Sequence, residues 1–147
     1  MTLDNERVSL SEGGVLWGMG PTSAQALAHL RDLAPTDPVV RQRLARLHGE
    51  ALLIRLLGDR IAAGGAAFAS VRKALADEHG QHVMGLVKDV GGAAGMVGLQ
   101  DGTAEERDPW HWGYLFSRAL TIGGGTSEVQ RNIIAEQLLG LPREPRP

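Results

Sequence analysis

The chain contains no cysteine, and this absence excludes several kinds of chemistry at once. Without thiols it can form no disulfide and has no thiol nucleophile. It also cannot hold a metal ion or an iron–sulfur cluster through thiolates. A reducing compartment is compatible with such a sequence.

The sequence also lacks a long apolar run and an excess of either charge. No stretch approaches the ~18 uninterrupted apolar residues of a membrane-spanning helix, and the N-terminal residues, MTLDNER, form no apolar signal segment. The 15 Lys and Arg residues and the 17 Asp and Glu residues are interspersed, for a net charge of −2. We therefore expect a soluble, cytoplasmic protein with no nucleic-acid or membrane partner.

What the sequence does contain is a strong helical pattern. A length of 147 residues with 43% hydrophobic content suits one domain with a sizeable core, and no alternating apolar pattern indicates a strand. Thr36 or Asp37, followed by Pro38, is a helix start. We predict an all-α fold, an antiparallel helical bundle, with helices over about residues 3–18, 23–33, 38–61, 67–97 and 109–120, and a last helix beginning at 126 or 127.

A glycine turn precedes the last predicted helix. Gly123, Gly124 and Gly125 give the backbone conformational freedom and room for a bulky group to approach. Ser127 with Gln130 forms a predicted capping box. Such a turn can bind an anion at the helix N-terminus, although an ordinary loop and cap would have the same pattern.

Residues 121–143, TIGGGTSEVQRNIIAEQLLGLPR, closely resemble the C-terminal signature of acyl-CoA dehydrogenases. The remainder of residues 1–147 resembles, more weakly, the C-terminal helical domain of that family. The resemblance implies FAD as cofactor and an acyl-CoA thioester as substrate. It puts Thr126, Ser127 and Glu128 at flavin-contacting positions. Gly124 falls beside the substrate, where medium-chain-like members carry their catalytic glutamate, so this chain needs another base.

The segment from Leu3 to Val8, LDNERV, contains the candidate base. It resembles the LD-x-ER segment of isovaleryl-type and long-chain-type members, whose Glu is the base and which have a small residue at the position of Gly124. The resemblance therefore assigns catalysis to Glu6 and acyl-CoA contacts to Asp4 and Arg7. Without it, Glu6 could equally be an acid that complements a helix dipole.

The histidines and tryptophans receive structural interpretations. Glu78, His79 and His82 do not form the paired Glu-x-x-His motifs of di-iron bundles, so we predict no metal site and interpret these histidines as solvated or capping. Trp110 and Trp112 precede the glycine turn, and we expect them to pack in the core. The glycines at 91–95 lack the context of a phosphate loop, and close helix packing is the preferred interpretation.

Two departures from the family limit the functional prediction. The family's Gln-x-x-Gly-Gly-x-Gly and Arg-x-x-Phe-Gly segments, which contact the flavin nucleotide, are not found. The family's N-terminal helical domain and β-domain are also absent from the 147 residues. We therefore expect a C-terminal domain or subunit of an FAD-dependent acyl-CoA dehydrogenase, inactive by itself, in a homo- or hetero-oligomer that electron-transfer flavoprotein reoxidises. The alternative is a non-catalytic bundle that mediates subunit association.

Overall fold

The structure, a computed structural model, describes residues 21–96 and 108–143. Within these ranges every regular element is helical and no strand occurs, which confirms the all-α prediction. None of the described helices has the length and apolarity that crossing a membrane requires. The α-helices are α1 (Ser23–Asp32), α2 (Pro38–Ala62), α3 (Ala69–Met96), α4 (Pro109–Phe116) and α5 (Ser127–Ile133); 3₁₀ turns cover Ala66–Phe68 and Ser117–Thr121, and a π-helical turn covers Ile134–Leu138.

The first two helices begin where side chains satisfy free backbone N–H groups. Thr22 caps α1 in a full capping box, since its hydroxyl accepts from the Gln25 N–H and the Gln25 side chain accepts from the Thr22 N–H. Asp37 caps α2, and its carboxylate accepts a 2.7 Å hydrogen bond from the Val39 N–H. The start of α1 at Ser23 agrees with the helix predicted over residues 23–33.

The long helix α3 is the centre of the domain, because every other α-helix packs against it. The inward-facing residues of α2 recur at steps of three and four, as predicted, and include Leu47 and Ile54. Gly80 allows α3 to pack closely, since a Cβ there would lie 2.5 Å from Leu120 Cδ1. The buried cluster consists of Ala26, Leu27, Leu30, Leu47, Val83, Met84, Leu86 and Val87.

Three sequence predictions need correction. The glycines near the C-terminal end of α3 mark a kink inside that helix, since Gly92 has the non-helical φ of 54°. Nothing lies within 4 Å of the Gly92 Cβ position, so close packing does not explain this glycine. The predicted helix over 109–120 is α-helical only to Phe116 and tightens into a 3₁₀ turn. The last helix becomes π-helical after Ile133 and stops at Gly140, whose φ is 67°.

Trp110 and Trp112 pack against the core, as predicted. Trp110 stacks on His29 with 4.3 Å between the ring centroids, and Trp112 stacks on Phe116 at 4.7 Å. The His29 contact was not expected from the sequence. This contact packs α4 against α1. In the sequence, α1 follows the N-terminal segment that contains Glu6.

Candidate functional site

The glycine turn lies between the 3₁₀ turn at Ser117–Thr121 and helix α5. Gly124 and Gly125 have φ values of 65° and 101°, in the region that disfavours side chains, so these two positions require glycine. The N–H groups of Ile122 and Gly123 both donate to the Ala119 carbonyl. The turn therefore has a defined conformation that follows directly from its sequence.

A buried lysine on α3, Lys73, hydrogen-bonds to the backbone of this turn. Lys73 Nζ donates to the Gly125 carbonyl at 2.8 Å and to the Leu120 carbonyl at 3.4 Å, and it also contacts the Asp77 carboxylate one helical turn away. Both side chains are at least nine-tenths buried. Burial raises the pKa of the Asp77 carboxyl above its ordinary value, while the hydrogen bond and charge of Lys73 oppose that rise. Lys73 thus connects the core helix to both ends of the turn.

Two glutamines complete the support of the turn. The buried Gln130 side chain donates to the Gly124 carbonyl at 3.2 Å. Gln81 on α3 donates to the Thr121 hydroxyl at 3.0 Å. With Lys73, these contacts occupy the carbonyls of Leu120, Gly124 and Gly125. No backbone hydrogen bond between described residues uses the N–H of Gly124 or Gly125.

Helix α5 begins one residue earlier than the predicted capping box requires. Thr126 is the N-cap, and its hydroxyl accepts from the Val129 N–H at 3.4 Å. The prediction that Ser127 and Gln130 form the capping box is wrong, because the Gln130 side chain turns back to the Gly124 carbonyl. The predicted start of the helix at Thr126 or Ser127 is confirmed.

The three residues assigned to flavin contacts lie together at this helix start. Thr126 and Ser127 are half-buried, whereas Glu128 is exposed. The pKa of Glu128 lies below its usual value because its carboxylate accepts hydrogen bonds from its own backbone N–H and from the Thr126 hydroxyl. Glu128 is therefore a carboxylate at neutral pH.

The predicted base, Glu6, lies outside the described residues, as do the two predicted acyl-CoA contacts, Asp4 and Arg7. All three precede residue 21, where the described part of the chain begins. The expected proximity of Glu6 and Gly124 therefore stays a prediction. Of the assigned site residues, Gly124, Thr126, Ser127 and Glu128 are brought together by the glycine turn.

Sequence reasoning missed the buried polar residues of α3. His79 was interpreted as solvated or capping, but it is only 3% exposed, and its Nδ1 lies 3.2 Å from Glu50 Oε2. Burial lowers the pKa of His79, against the opposing effect of Glu50. Burial acts to raise the pKa of Glu50, yet hydrogen bonds from His79 and Arg46 outweigh it and the pKa lies below its usual value. One feature of the sequence could have indicated the Lys73–Asp77 pair, namely the i,i+4 spacing of two opposite charges within an apolar helix.

The sequence of the chain is similar to one protein family and to two of that family's members in Mycobacterium tuberculosis. Residues 1–139 match the family described as acyl-CoA dehydrogenase, C-terminal domain. Acyl-CoA dehydrogenase IpdE1 of Mycobacterium tuberculosis is 41% identical over 118 residues, which cover 78% of this chain and 30% of that protein. Acyl-CoA dehydrogenase FadE34 of the same species is 34% identical over 149 residues, covering 97% of this chain and 19% of that protein. The chain thus spans less than a third of the length of these relatives.

Solved structures share the fold. One subunit in the ChsE4-ChsE5 complex from Mycobacterium tuberculosis superposes with a TM-score of 0.71 at 28% identity, covering 84% of this chain and 36% of that one. A chain of the Tcur3481-Tcur3483 steroid ACAD gives a TM-score of 0.70 at 28% identity, covering 97% and 38%. The family match, the signature at the glycine turn and the shared helical architecture agree: this chain belongs to the acyl-CoA dehydrogenase family and corresponds to its C-terminal domain.

Proposed function

We propose that this chain supplies the C-terminal part of the active site of an FAD-dependent acyl-CoA dehydrogenase, which introduces an α,β double bond into an acyl-CoA thioester. The observation that carries the proposal is the preformed glycine turn. Its carbonyls are occupied by Lys73 and Gln130, while the N–H groups of Gly124 and Gly125 are not used by the described residues. A turn built in this way presents donors to an acceptor-rich group.

The residues of the glycine turn fit the ring of a flavin, whereas the segments that contact the flavin nucleotide in the family are not found in this chain. A flavin ring carries carbonyl oxygens and ring nitrogens that accept hydrogen bonds, and the turn offers backbone donors without side chains in front of them. Thr126, Ser127 and Glu128 would hold the cofactor beside this turn. Gly124 leaves room for the thioester, since it has no side chain at the position where related enzymes carry a glutamate.

The chemistry requires one proton acceptor from the protein. Glu6 takes the proton from the α-carbon of the thioester, and Asp4 and Arg7 contact the acyl-CoA. A bound flavin would supply the acceptor for the hydride that leaves the β-carbon. Exclusion of water from an active site raises the pKa of a carboxylate base towards that of the proton it removes. Backbone donors at the turn stabilise the negative charge that develops on the thioester oxygen.

We propose that the working unit is an assembly with another acyl-CoA dehydrogenase chain. The solved neighbours are named as two-component assemblies, ChsE4-ChsE5 and Tcur3481-Tcur3483. This chain spans 36% and 38% of the matched subunits, so the remaining parts of the active site come from outside the 147 residues. Electron-transfer flavoprotein would reoxidise the flavin of such an assembly.

The test is to co-express the chain with a partner acyl-CoA dehydrogenase subunit and to record the flavin absorbance of the purified complex. Turnover is then measured with an artificial electron acceptor, using straight-chain and steroid-derived acyl-CoA thioesters. The steroid substrate is included because one neighbour is named a steroid ACAD. A flavin-containing complex that desaturates a thioester supports the proposal.

Replacing Glu6 with Gln distinguishes catalysis from assembly alone. We expect the Glu6→Gln complex to retain its flavin and to lose about 10²- to 10⁴-fold in turnover, which is the usual effect of losing a general base. The matched control is Glu12→Gln, a nearby acid that lies outside the LD-x-ER segment. Unimpaired turnover of Glu6→Gln would instead favour the non-catalytic role in subunit association.

A further inference from the structure

A second candidate site lies between α1, α2 and α3. The cavity has a volume of about 450 Å³, within the usual range for small-molecule sites. Its walls are largely apolar and come from all three helices. They include Leu27, Ala28, Ala51, Ile54 and Ala76.

Among the described residues, the charged side chains that line this cavity are all arginines. Arg31, Arg55 and Arg72 line it together with two histidines, His48 and His79, and no Asp or Glu is among the described lining residues. Arg31 pairs with Asp32 at the surface, but both side chains are about two-thirds exposed, so that pair is weak. Arg72 donates through Nε to the Ile54 carbonyl at 3.3 Å, which holds its guanidinium group at the junction of α2 and α3.

His79, one of the residues that line the cavity, also has a buried and unsatisfied ring nitrogen. Its Nδ1 faces Glu50, whereas its buried Nε2 has no hydrogen-bond partner among the described residues. A buried polar atom without a partner is rare in native proteins and costs stability.

This cavity and the glycine turn use different faces of α3. Lys73, Asp77 and Gly80 face the turn and Leu120. Arg72, Ala76 and His79 line the cavity. Each of the second set precedes a member of the first by one residue, and one residue corresponds to about 100° around a helix. The cavity is therefore a separate site from the turn.

We propose that this cavity binds a small organic anion with an apolar body, of the size of a medium-chain carboxylate. The apolar walls would cover the hydrocarbon part, and the guanidinium groups of Arg31 and Arg55 would neutralise the carboxylate. Because the described lining residues include no carboxylate, the site selects against cations and offers neutral molecules no charged partner.

The test is isothermal titration of the full chain at low ionic strength with octanoate, acetate, 1-octanol and octyltrimethylammonium. Acetate carries the head group alone, 1-octanol has no charge, and the ammonium ion reverses the charge. We expect octanoate to bind about tenfold or more tightly than each of the other three, because only octanoate satisfies both the apolar walls and the guanidinium groups.

Three variants locate the binding. Arg55→Gln should weaken octanoate binding about three- to tenfold, whereas Arg60→Gln, on the same helix but outside the cavity lining, should leave it unchanged. Ala76→Leu should abolish binding by filling the space, and Ala51→Leu serves the same purpose if that variant does not fold. Failure of the folded chain to bind octanoate, equal affinity for octyltrimethylammonium, or equal effects of Arg55→Gln and Arg60→Gln would overturn the proposal.

Discussion

At the scale of single residues, Lys73 is the side chain whose loss should disturb the glycine turn most directly. Lys73→Met removes the donor to the Leu120 and Gly125 carbonyls and leaves the Asp77 carboxyl buried without its cation. Breaking a buried pair in this way typically costs about 3–5 kcal/mol. We expect a loss of that order in the free energy of unfolding, measured by urea denaturation followed by circular dichroism.

The matched control is Arg131→Met, since Arg131 pairs with Glu78 at 3.2 Å where both side chains are largely exposed. Exposed pairs contribute about 0–1 kcal/mol. The double variant Lys73→Met/Asp77→Leu should recover part of the loss, because it removes the unpaired carboxyl. If Lys73→Met costs no more than Arg131→Met, Lys73 does not hold the turn.

His79 should give the fold a measurable pH dependence. Burial depresses the pKa of His79 in the folded chain below the unfolded value of about 6.5. As the pH falls below about 6.5, the unfolded chain binds this proton before the folded chain does, and stability is lost until the folded pKa is reached. We expect the urea concentration at the unfolding midpoint to decrease as the pH is lowered from about 7 to about 5.

The contribution of His79 is read as a difference, because the sequence contains five histidines. His79→Gln should show a shallower fall in the urea midpoint over the same range, whereas His82→Gln, at an exposed position on the same helix, should retain the steeper fall. Identical pH profiles for the original chain and His79→Gln would show that His79 titrates normally in the folded state.

At the scale of elements, the glycine turn should tolerate no side chain at its last glycine. Gly125 has φ 101°, and a Cβ there would lie 2.8 Å from Gln130 Nε2, the atom that binds the Gly124 carbonyl. Gly125→Ala combines backbone strain with displacement of that amide. We expect it to reduce the free energy of unfolding by about 1–3 kcal/mol, measured by urea denaturation.

Gly49→Ala, inside a regular helix, is expected to raise the free energy of unfolding instead of lowering it. Gly49 lies inside α2, and nothing comes within 4 Å of its Cβ position. Alanine should therefore stabilise the chain by up to about 1 kcal/mol through its higher helix propensity. A neutral or stabilising Gly125→Ala would show that the turn does not depend on this backbone conformation.

At the scale of the whole molecule, the chain should self-associate or bind a partner through exposed apolar residues. The apolar residues of the terminal helix predict one such surface, made of Ile133, Ile134, Leu138 and Leu139. Of these four, only Leu139 is exposed in the structure, at 64%. Helix α2 instead presents three neighbouring leucines, Leu52, Leu53 and Leu56, each about half exposed. Exposed apolar patches of this kind mark association surfaces.

Light scattering coupled to size-exclusion chromatography measures this association over a range of concentrations. We expect a species larger than 15.7 kDa, and we expect Leu53→Gln/Leu56→Gln to shift it towards the monomer. Leu33→Gln is the control, since Leu33 is 50% exposed, like Leu56, but lies at the end of α1. A monomer at every concentration would contradict the prediction of self-association.

The sequence by itself determined the features that depend on local chemistry. The capping residue Asp37, the apolar spacing of α2 and the glycine turn before Thr126 act over a few residues, so they could be read directly. The same holds for the family, since the signature over residues 121–143 is contiguous.

Only the tertiary structure decided which polar residues are buried and what they contact. Lys73 and Gly125 are 52 residues apart, and His79 and Glu50 are 29 residues apart. Such pairs depend on how α3 packs against its neighbours, and no local pattern encodes that packing. The capping box failed for a different reason: Gln130 had two possible partners within its own segment, and the conformation of the turn brings the Gly124 carbonyl within its reach.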